Sequence, residues 1–249
     1  MLKTIDIIDI IEIAKDAGDA IMEIYNRSFT IEYKDDKSPL TEADLASNDI
    51  IVNALEKFSI PIMSEEGKLI AYENRKKWEY YWCIDPIDGT KEFIKKNGEF
   101  TVNIALIHKN KPVLGVVYVP ILNDIYSAKE GEGAFKNGQK LPFYVNKNPE
   151  NMLKVIVSKS HLSDETQIFI DNLKTRKIEQ VSKGSSLKLC MVAVGEADIY
   201  PRLAPTMEWD TAAAHAIVLE SGKNVKQFET DLSIIYNKEN LLNPWFIVI

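Results

Sequence analysis

The sequence predicts an α/β protein whose first half is α+β and whose second half alternates strands with helices. Two segments with helical apolar spacing precede any strong strand signal, and the strand-rich stretch that follows runs from Tyr80 to Val119. From Lys154 onward, short apolar runs alternate with helical segments, which is the pattern of βαβ units. We therefore predict two halves, residues 1–145 and 146–249, that meet in the polar stretch 146–151.

The elements of the first half follow from periodicity and turn residues. Residues 6–25 are predicted to form a helix, because apolar residues recur at the spacing of one helix face. Thr41 and Asp44 form a capping-box pattern that predicts a second helix ending near Phe58. The run 80–84 predicts a buried strand that leads into a sharp turn. Two hairpins are predicted after it, one formed by residues 101–107 and 113–119 and one turning at Asn137-Gly138 as type I′.

The second half is predicted to contain three strand–helix pairs. The strands are 154–157, 177–181 and 197–200, and the helices are 164–173, 185–194 and 211–219. Loops that follow strands bind ligands in βα folds, and a cleft between two such halves is a natural ligand site.

Composition excludes several classes of protein. The net charge of −7 argues against binding a nucleic-acid polymer through a basic surface, because such binding neutralises phosphates with Lys and Arg. The opening MLKTIDIIDI carries regular acidic residues and no small-residue cleavage site, so we expect neither a signal peptide nor a membrane span, and a cytoplasmic protein. Cys83 and Cys190 lack a CxxC pattern and are predicted to be reduced packing residues. The sequence leaves a homo-oligomer open.

A half-site for a metal ion is predicted after the strand 80–84. Asp85 and Asp88 lie three residues apart where the chain bends, so both carboxylates can face one point. Hard divalent cations prefer carboxylate and carbonyl oxygens, which these two residues and the carbonyl of Ile87 supply. Gly89 and Thr90 would offer backbone N–H groups and a hydroxyl to a phosphate if a short helix starts there. The competing interpretation is an ordinary surface turn, since Asp, Pro and Gly favour turns.

Three further acidic positions have both a functional and a structural interpretation. Glu65 is followed by Glu66 at the end of a short apolar run, where a solvated acidic turn is the alternative. Asp210 precedes an Ala-rich helix, so a helix N-cap would be a sufficient reason for it. Asp44 is likewise explained by its capping box with Thr41.

Three acidic motifs together resemble the signatures of the inositol monophosphatase superfamily in their order and spacing. They are Glu65-Glu66, Asp85-Pro86-Ile87-Asp88-Gly89-Thr90 and Glu208-Trp209-Asp210-Thr211-Ala212-Ala213. Within the superfamily, the chain is similar to the CysQ-type 3′(2′),5′-bisphosphate nucleotidases in residues 37–44, 88–93, 184–188, 200–202 and 242–244. Inositol phosphatases usually have Thr-Asn-Phe after the Gly-Thr pair, whereas this chain has Lys91-Glu92-Phe93, which favours the nucleotidase branch.

The resemblance implies a layered αβαβα sandwich like that of sugar phosphatases, and a Mg²⁺-dependent phosphatase. It implies two or three Mg²⁺ ions bound by Glu65, Asp85, Ile87, Asp88 and Asp210. Asp44 and Thr90 would orient the attacking water. The implied reaction, within sulfate assimilation, converts 3′-phosphoadenosine 5′-phosphate to AMP and phosphate. The implied substrate contacts are Glu65, Ile87, Asp88, Gly89, Thr90, Ser158, His161, Gly184, Ser185, Lys188, Arg202 and Asp210.

Other functions share much of this pattern. Ser158 to His161 and Gly184 to Ser186 resemble nucleoside-contact segments, yet His161 and Arg202 also fit ordinary surface positions. An inositol-1-phosphatase or a fructose-1,6-bisphosphatase-like sugar phosphatase could use every metal ligand. A phosphate-binding regulatory protein on the same fold would have lost a metal carboxylate or the pair Asp44 and Thr90, and this sequence keeps them all.

Overall fold

The structure, a computed structural model, describes residues 1–34, 37–144, 152–159, 162–173 and 177–249. The helices are α1 (Ile7–Tyr25), α2 (Glu42–Leu55), α3 (Tyr72–Arg75), α4 (Thr90–Ile94), α5 (Asp164–Asp171), α6 (Leu187–Val194) and α7 (Glu208–Glu220). The strands of the first half are β1 (Ile31–Tyr33), β2 (Pro39–Thr41), β3 (Ile62–Ser64), β4 (Tyr80–Asp88), β5 (Thr101–His108), β6 (Lys111–Val119), β7 (Asp124–Lys129), β8 (Gly133–Lys136) and β9 (Gln139–Lys140). Those of the second half are β10 (Met152–Ser158), β11 (Lys177–Lys183), β12 (Tyr200–Arg202), β13 (Val225–Gln227) and β14 (Phe246–Val248).

A large sheet with the strand order β3-β4-β5-β6-β7-β8-β9 forms the centre of the molecule. β3 and β4 are parallel, and the other neighbours are antiparallel. Along β4, Trp82 and Ile84 enter the core on one face, whereas Tyr81 and Cys83 enter the core on the other. Because successive side chains of a strand point to opposite faces, both faces of this sheet must be covered.

Helices and smaller sheets cover the two faces in layers. α1 and α2 pack on the Trp82 face, and α6 and α7 pack on the Tyr81 face together with β12, β13 and β14. β10 is parallel to β11; its Ile156 points into the α6–α7 core while Val155 and Val157 pack against Ile170 of α5. The order of layers is therefore αβαβα, which confirms the predicted fold class.

One glycine allows α7 to approach the large sheet closely. A Cβ atom at Gly115 of β6 would lie 2.2 Å from the backbone oxygen of Ala213 in α7, far inside contact distance. Only a residue without a side chain fits there. The close approach fixes the distance between the sheet and α7, whose first turn carries Asp210.

Most of the predicted elements of the first half are confirmed within a few residues. α1 begins after Asp6, whose carboxylate accepts a hydrogen bond from Ile8 N, and α2 is capped by Thr41 as predicted. The hairpin turn at Asn137-Gly138 has positive φ at both residues, as a type I′ turn requires. The predicted turn directly after Ile84 is wrong. β4 continues to Asp88 with a bulge opposite β5, because interstrand pairing outweighs the local turn preference of Pro and Gly.

Differences are larger in the second half. β10, α5 and β11 form the predicted parallel unit. The third predicted strand, 197–200, is shifted: β12 spans Tyr200–Arg202 and joins an antiparallel sheet with β14 and β13, while Ile199 just before it forms a parallel bridge with Val155 of β10. α6 begins at Leu187 instead of Ser185, because Ser185 has a φ of +45°. The predicted boundary near residue 145 lies outside the described residues.

Two simpler expectations concern the cysteines and membrane helices. Cys83 and Cys190 are both free and buried, as predicted. Among the described residues, no helix combines the length and the apolar character needed to cross a membrane.

Candidate active site

A cavity of about 420 Å³ is lined by residues from β4, α4, α6, β12 and the first turn of α7. The predicted site residues in the described part of the chain all line it, except Asp44, which is buried beside it and reaches it through Thr90. His161 lies outside the described residues. The sequence assigned no site role to the remaining lining residues, which are Ser38, Pro39, Lys91, Glu92, Leu189, Tyr200, Ala204, Pro205, Thr206, Thr211 and Phe246.

Three carboxylates from separate parts of the chain meet at one end of the cavity. Glu65, Asp85 and Asp210 each have an oxygen within 4.8 Å of the others. Glu65 comes next to Asp85 because β3 runs parallel to β4, and Glu65 N donates to Ile84 O at 3.2 Å. Asp210 arrives from the first turn of α7.

The backbone around Asp85 and Asp88 is held by hydrogen bonds to side chains. Oδ1 of Asp85 accepts a bond from Ile87 N at 3.1 Å, and Ser47 of α2 donates to Pro86 O at 2.8 Å. The bulge in β4 lies between the two aspartates, so both can face the cavity although they are three residues apart.

Burial and mutual repulsion disfavour the ionised forms of these carboxylates. Burial raises the pKa of Asp85 well above its usual value, and Glu65 and Asp88 raise it further. The pKa of Asp210 is raised to about 8, first by burial and then by Asp88 and Glu65. Burial also raises the pKa of Glu65, although the ammonium of Lys34 at 3.0 Å opposes that shift.

This donor set fits a hard divalent cation. Carboxylate oxygens are the ligands that Mg²⁺ prefers, and a cation among buried like charges removes the repulsion that otherwise favours protonation. Asp88 belongs to the same electrostatic group: burial raises its pKa, and Lys188 and Ser186 oppose the rise. The residues that could hold metal are therefore Glu65, Asp85, Asp88 and Asp210, together with the carbonyl of Ile87.

Thr90 and Asp44 form a hydrogen-bonded pair at the edge of this cluster. Thr90 is the first residue of α4, and the preceding Gly89 has a φ of +97°, a conformation that favours glycine. Thr90 Oγ1 donates to Oδ1 of Asp44 at 3.0 Å, while Oδ2 of Asp44 accepts from Thr41 N and Oγ1 at 2.8 and 2.6 Å. Asp44 thus both caps α2 and orients Thr90.

Asp210 lies inside its helix, so its predicted position as an N-cap is wrong. α7 begins at Glu208 with Met207 as the N-cap, and Asp210 is the third helical residue. Its Oδ2 accepts a hydrogen bond from Met207 N at 2.9 Å. That bond satisfies one free N–H of the helix start and fixes the orientation of the carboxylate.

Ser186 links two of the acidic residues. Its Oγ lies 2.8 Å from Oδ2 of Asp88 and 2.7 Å from the backbone oxygen of Asp210, and it accepts a bond from Asn103 Nδ2 at 2.9 Å. Ser186 was expected to belong to a nucleoside-contact segment, from its position after a predicted strand and from the resemblance of residues 184–188.

The same cavity is also lined by basic side chains and by unpartnered polar atoms. Ser185 Oγ and Arg202 Nε are buried without a hydrogen-bond partner within the described structure, while Arg202 Nη2 donates to Pro205 O at 2.7 Å. Burial lowers the pKa of Lys188 to about 8, although Asp88 opposes the shift, and its ammonium lies 5.7 Å from the Tyr200 ring centroid. These groups are suited to an anion.

A carboxylate cluster in a cavity that is also lined by basic groups is an arrangement suited to metal-dependent phosphoester hydrolysis. Residues 2–244 match the model of the inositol monophosphatase family, and the chain belongs to that family of metal-dependent phosphatases.

Curated proteins and solved structures similar to the chain cover nearly all of it. The 3′(2′),5′-bisphosphate nucleotidase CysQ of Salmonella typhimurium is 44% identical over 95% of this chain and 96% of its own. The crystal structure of CysQ from Bacteroides thetaiotaomicron has a TM-score of 0.89 and 43% identity, covering 97% of this chain and 95% of that one. An IMPase of Thermotoga maritima has a TM-score of 0.77 and 30% identity, covering 96% and 89%.

Proposed function

We propose that this chain is a Mg²⁺-dependent 3′(2′),5′-bisphosphate nucleotidase that hydrolyses 3′-phosphoadenosine 5′-phosphate to AMP and phosphate. The observation that carries the proposal is a single cavity lined by the acidic cluster and by Ser185 and Arg202, whose Oγ and Nε are buried without a hydrogen-bond partner in the described structure. A substrate with two phosphates can use both groups of side chains. The similarity to the Salmonella nucleotidase supports the same assignment.

The carboxylate cluster would hold the Mg²⁺ ions that bind the scissile phosphate. Glu65, Asp85, Asp88, Asp210 and the carbonyl of Ile87 are the proposed ligands of two or three ions. Bound Mg²⁺ lowers the pKa of a coordinated water and offsets the negative charge on the phosphoryl oxygens. The protein's task is then to hold the carboxylates ionised and converging on one point.

Thr90 and Asp44 orient the attacking water. Because the Thr90 hydroxyl donates its hydrogen bond to Asp44, the lone pairs of the Thr90 oxygen can accept a hydrogen bond from water. Asp44 is positioned to take up a proton through this bond, since burial raises its pKa above the usual value for an aspartate.

Basic and polar side chains of the same cavity bind the second phosphate and the nucleoside. Arg202, Lys188 and Ser185 are the proposed phosphate contacts, because each presents a donor at the cavity. Ser158 and Gly184 line the same region and are the proposed nucleoside contacts, together with His161 outside the described residues. Remote binding of this kind positions the scissile 3′-phosphate at the metals.

A panel of phosphomonoesters tests the proposal. With Mg²⁺ saturating, kcat/KM for 3′-phosphoadenosine 5′-phosphate should exceed that for inositol 1-phosphate by at least about tenfold, or roughly 1.4 kcal/mol. AMP should be a poor substrate, because its only phosphate would bind to Arg202, Lys188 and Ser185. Removal of the 5′-phosphate from the substrate should weaken the reaction. Equal or better hydrolysis of inositol 1-phosphate or fructose 1,6-bisphosphate would overturn the nucleotidase assignment.

A further inference from the structure

A segment near the end of the chain forms hydrogen bonds with the start of α7, the helix that contains Asp210. We call residues 236–243 the C-terminal clamp. The backbone of the clamp pairs with the residues around the start of α7: Glu208 N donates to Leu241 O at 3.0 Å, and Asn243 N donates to Thr206 O at 2.8 Å. None of the clamp residues is among those that line the cavity.

Glu208 is the first anchor of the clamp. Its side chain is completely buried, yet it accepts hydrogen bonds on both oxygens. Oε1 accepts from Lys238 N at 3.0 Å and Lys238 Nζ at 2.6 Å, and Oε2 accepts from Asn237 N at 2.7 Å and Tyr81 OH at 3.3 Å. A buried carboxylate is costly unless its hydrogen bonds are satisfied, so this full set of donors fixes Glu208 in one place.

These bonds connect the two elements that carry metal ligands. Glu208 belongs to α7, two residues before Asp210, and Tyr81 belongs to β4, on the same face of the strand as Cys83 and Asp85. The carboxylate of Glu208 therefore links α7, which contains Asp210, to β4, which contains Asp85.

Asn243 is the second anchor. Its Nδ2 donates to Met207 O at 2.7 Å and to Thr211 Oγ1 at 3.1 Å. Met207 also supplies the N–H group that binds Oδ2 of Asp210 at 2.9 Å. Asn243 N also donates to Thr206 O at 2.8 Å, and that carbonyl lies in the same peptide plane as the Met207 N–H group. Asn243 therefore holds both peptide groups that flank Met207, which restricts where the Met207 N–H group points.

The clamp is itself fastened from outside by α3. The buried Arg75 donates from Nη1 to Asn237 Oδ1 at 2.8 Å and from Nη2 to Glu239 O at 2.9 Å, and Asn237 Nδ2 donates back to Arg75 O at 2.8 Å. Asn237 is held at a φ of +62°, a left-handed conformation that this ring of bonds maintains. The clamp is thus a rigid support for α7.

We propose that the C-terminal clamp is a positioning element for Asp210, and that Glu208 and Asn243 set the Mg²⁺ affinity of the site without touching the metal. The proposal rests on the metal site of the proposed function. Partners that orient a metal ligand commonly change metal affinity about 10- to 100-fold when removed. Here the orientation passes from Glu208 and Asn243 through Met207 to the carboxylate of Asp210.

Calorimetric titration of the metal-free protein with Mg²⁺, in the absence of substrate, tests the proposal. Glu208→Gln should raise the Mg²⁺ dissociation constant about tenfold. Glu220→Gln is the matched control, because Glu220 holds a loop from the far end of α7 by accepting from Gly131 N at 3.1 Å and Gly133 N at 2.9 Å. It should bind Mg²⁺ like the parent protein. In assays, Glu208→Gln should raise the Mg²⁺ activation midpoint while KM at saturating Mg²⁺ stays within about twofold.

Asn243→Ala keeps the test decisive if Glu208→Gln fails to fold, because it leaves all four bonds to Glu208 in place. It should also raise the Mg²⁺ dissociation constant about tenfold. Parent-like Mg²⁺ affinity in the folded variants, with only a lower melting temperature, would overturn the proposal. Equal weakening by Glu220→Gln would overturn it too, since the effect would then be a general loosening of α7. The titration contains no nucleotide, so failure of the nucleotidase assignment in the phosphoester panel would leave its result standing.

Discussion

The hydroxyl of Thr90 donates a hydrogen bond of 3.0 Å to Oδ1 of Asp44, which joins the start of α4 to the first turn of α2. The other oxygen of Asp44 is held by the backbone and hydroxyl of Thr41. The aspartate therefore cannot rotate freely, and the direction of the Thr90 O–H bond is fixed. Under the proposed function, this fixed pair orients the attacking water.

Thr90→Ala should lower kcat by about 10²-fold or more with little change in KM, because the hydroxyl acts on the attacking water. Steady-state kinetics at saturating Mg²⁺ measure the changes in kcat and in KM separately. Thr90→Ser is the control, since it keeps the hydroxyl and should retain most of the activity. A rise in KM alone would assign Thr90 to phosphate binding instead.

Asp85→Asn should abolish activity and leave the fold intact, because a neutral amide is a poorer ligand for Mg²⁺ but has nearly the same size. The metal-free variant should melt no lower than the parent, since burial and neighbouring carboxylates already disfavour the charge on Asp85. Phosphate release and thermal melting are measured together. Asp124→Asn is the control: it removes an ion pair with Lys136, neither residue lines the cavity, and the variant should stay active. Near-native turnover of Asp85→Asn would remove Asp85 from the metal site.

The stabilisation that Mg²⁺ gives should grow as the pH rises from about 6.5 to about 8.5. The pKa of Asp210 is raised from 3.8 to about 8, so between these values the folded, metal-free protein binds more protons at this group than the unfolded chain. Its free energy of unfolding therefore falls as the pH rises through that window. Mg²⁺ needs the ionised carboxylate, so its affinity rises over the same range.

Melting temperatures with Mg²⁺ and with EDTA, compared across this range, measure the effect. His215 does not interfere, because burial lowers its pKa from 6.5 to about 3 and its contribution to stability is the same with Mg²⁺ and with EDTA. Lys188, whose pKa is lowered to about 8, loses its charge within the range; this change also widens the gap, because an ammonium that interacts with Asp88 opposes the binding of a cation. A gap between the two melting temperatures that narrows with rising pH would contradict the assignment of Asp210 as a metal ligand.

Local signals in the sequence were sufficient for the elements that are stabilised locally. The cap of α2 was predictable because Thr41 and Asp44 bond to each other within one turn. The course of the chain after Ile84 was not, because the pairing of Asp85 and Asp88 with Asn103 and Thr101 of β5 is not local. Local turn preferences of Pro and Gly cannot reveal a partner strand.

The same distinction applies to the candidate site. The order of the acidic motifs indicated Glu65, Asp85 and Asp210 before any coordinates, and the structure brings their oxygens within 4.8 Å. Glu208 and Asn243 lie in segments that carry the family resemblance, but sequence reasoning assigned neither residue a role in supporting those ligands. Asn243 contacts Met207 from 36 residues away, so only the folded backbone shows that they are neighbours.

Ser185 and Ser186 are adjacent in sequence, yet the structure gives them different roles. Ser186 donates toward Asp88 and Asp210, whereas Ser185 Oγ is buried at the cavity with no partner. Ser186→Ala should therefore raise the Mg²⁺ dissociation constant about tenfold, because the carboxylate of Asp88 loses a hydrogen bond that orients it toward the metal. Calorimetry with Mg²⁺ alone measures this change.

Ser185→Ala should leave Mg²⁺ affinity unchanged and raise KM for 3′-phosphoadenosine 5′-phosphate about tenfold, since a hydrogen bond to a charged group contributes about 1.5–3 kcal/mol. Its effect on a substrate without the 5′-phosphate should be much smaller, because the lost hydroxyl would have no phosphate to bind. Each serine variant is the control for the other: they differ by one position in the chain and remove the same atom. If Ser185→Ala weakened Mg²⁺ binding while Ser186→Ala did not, the assignment of Ser186 to metal support and of Ser185 to phosphate binding would be wrong.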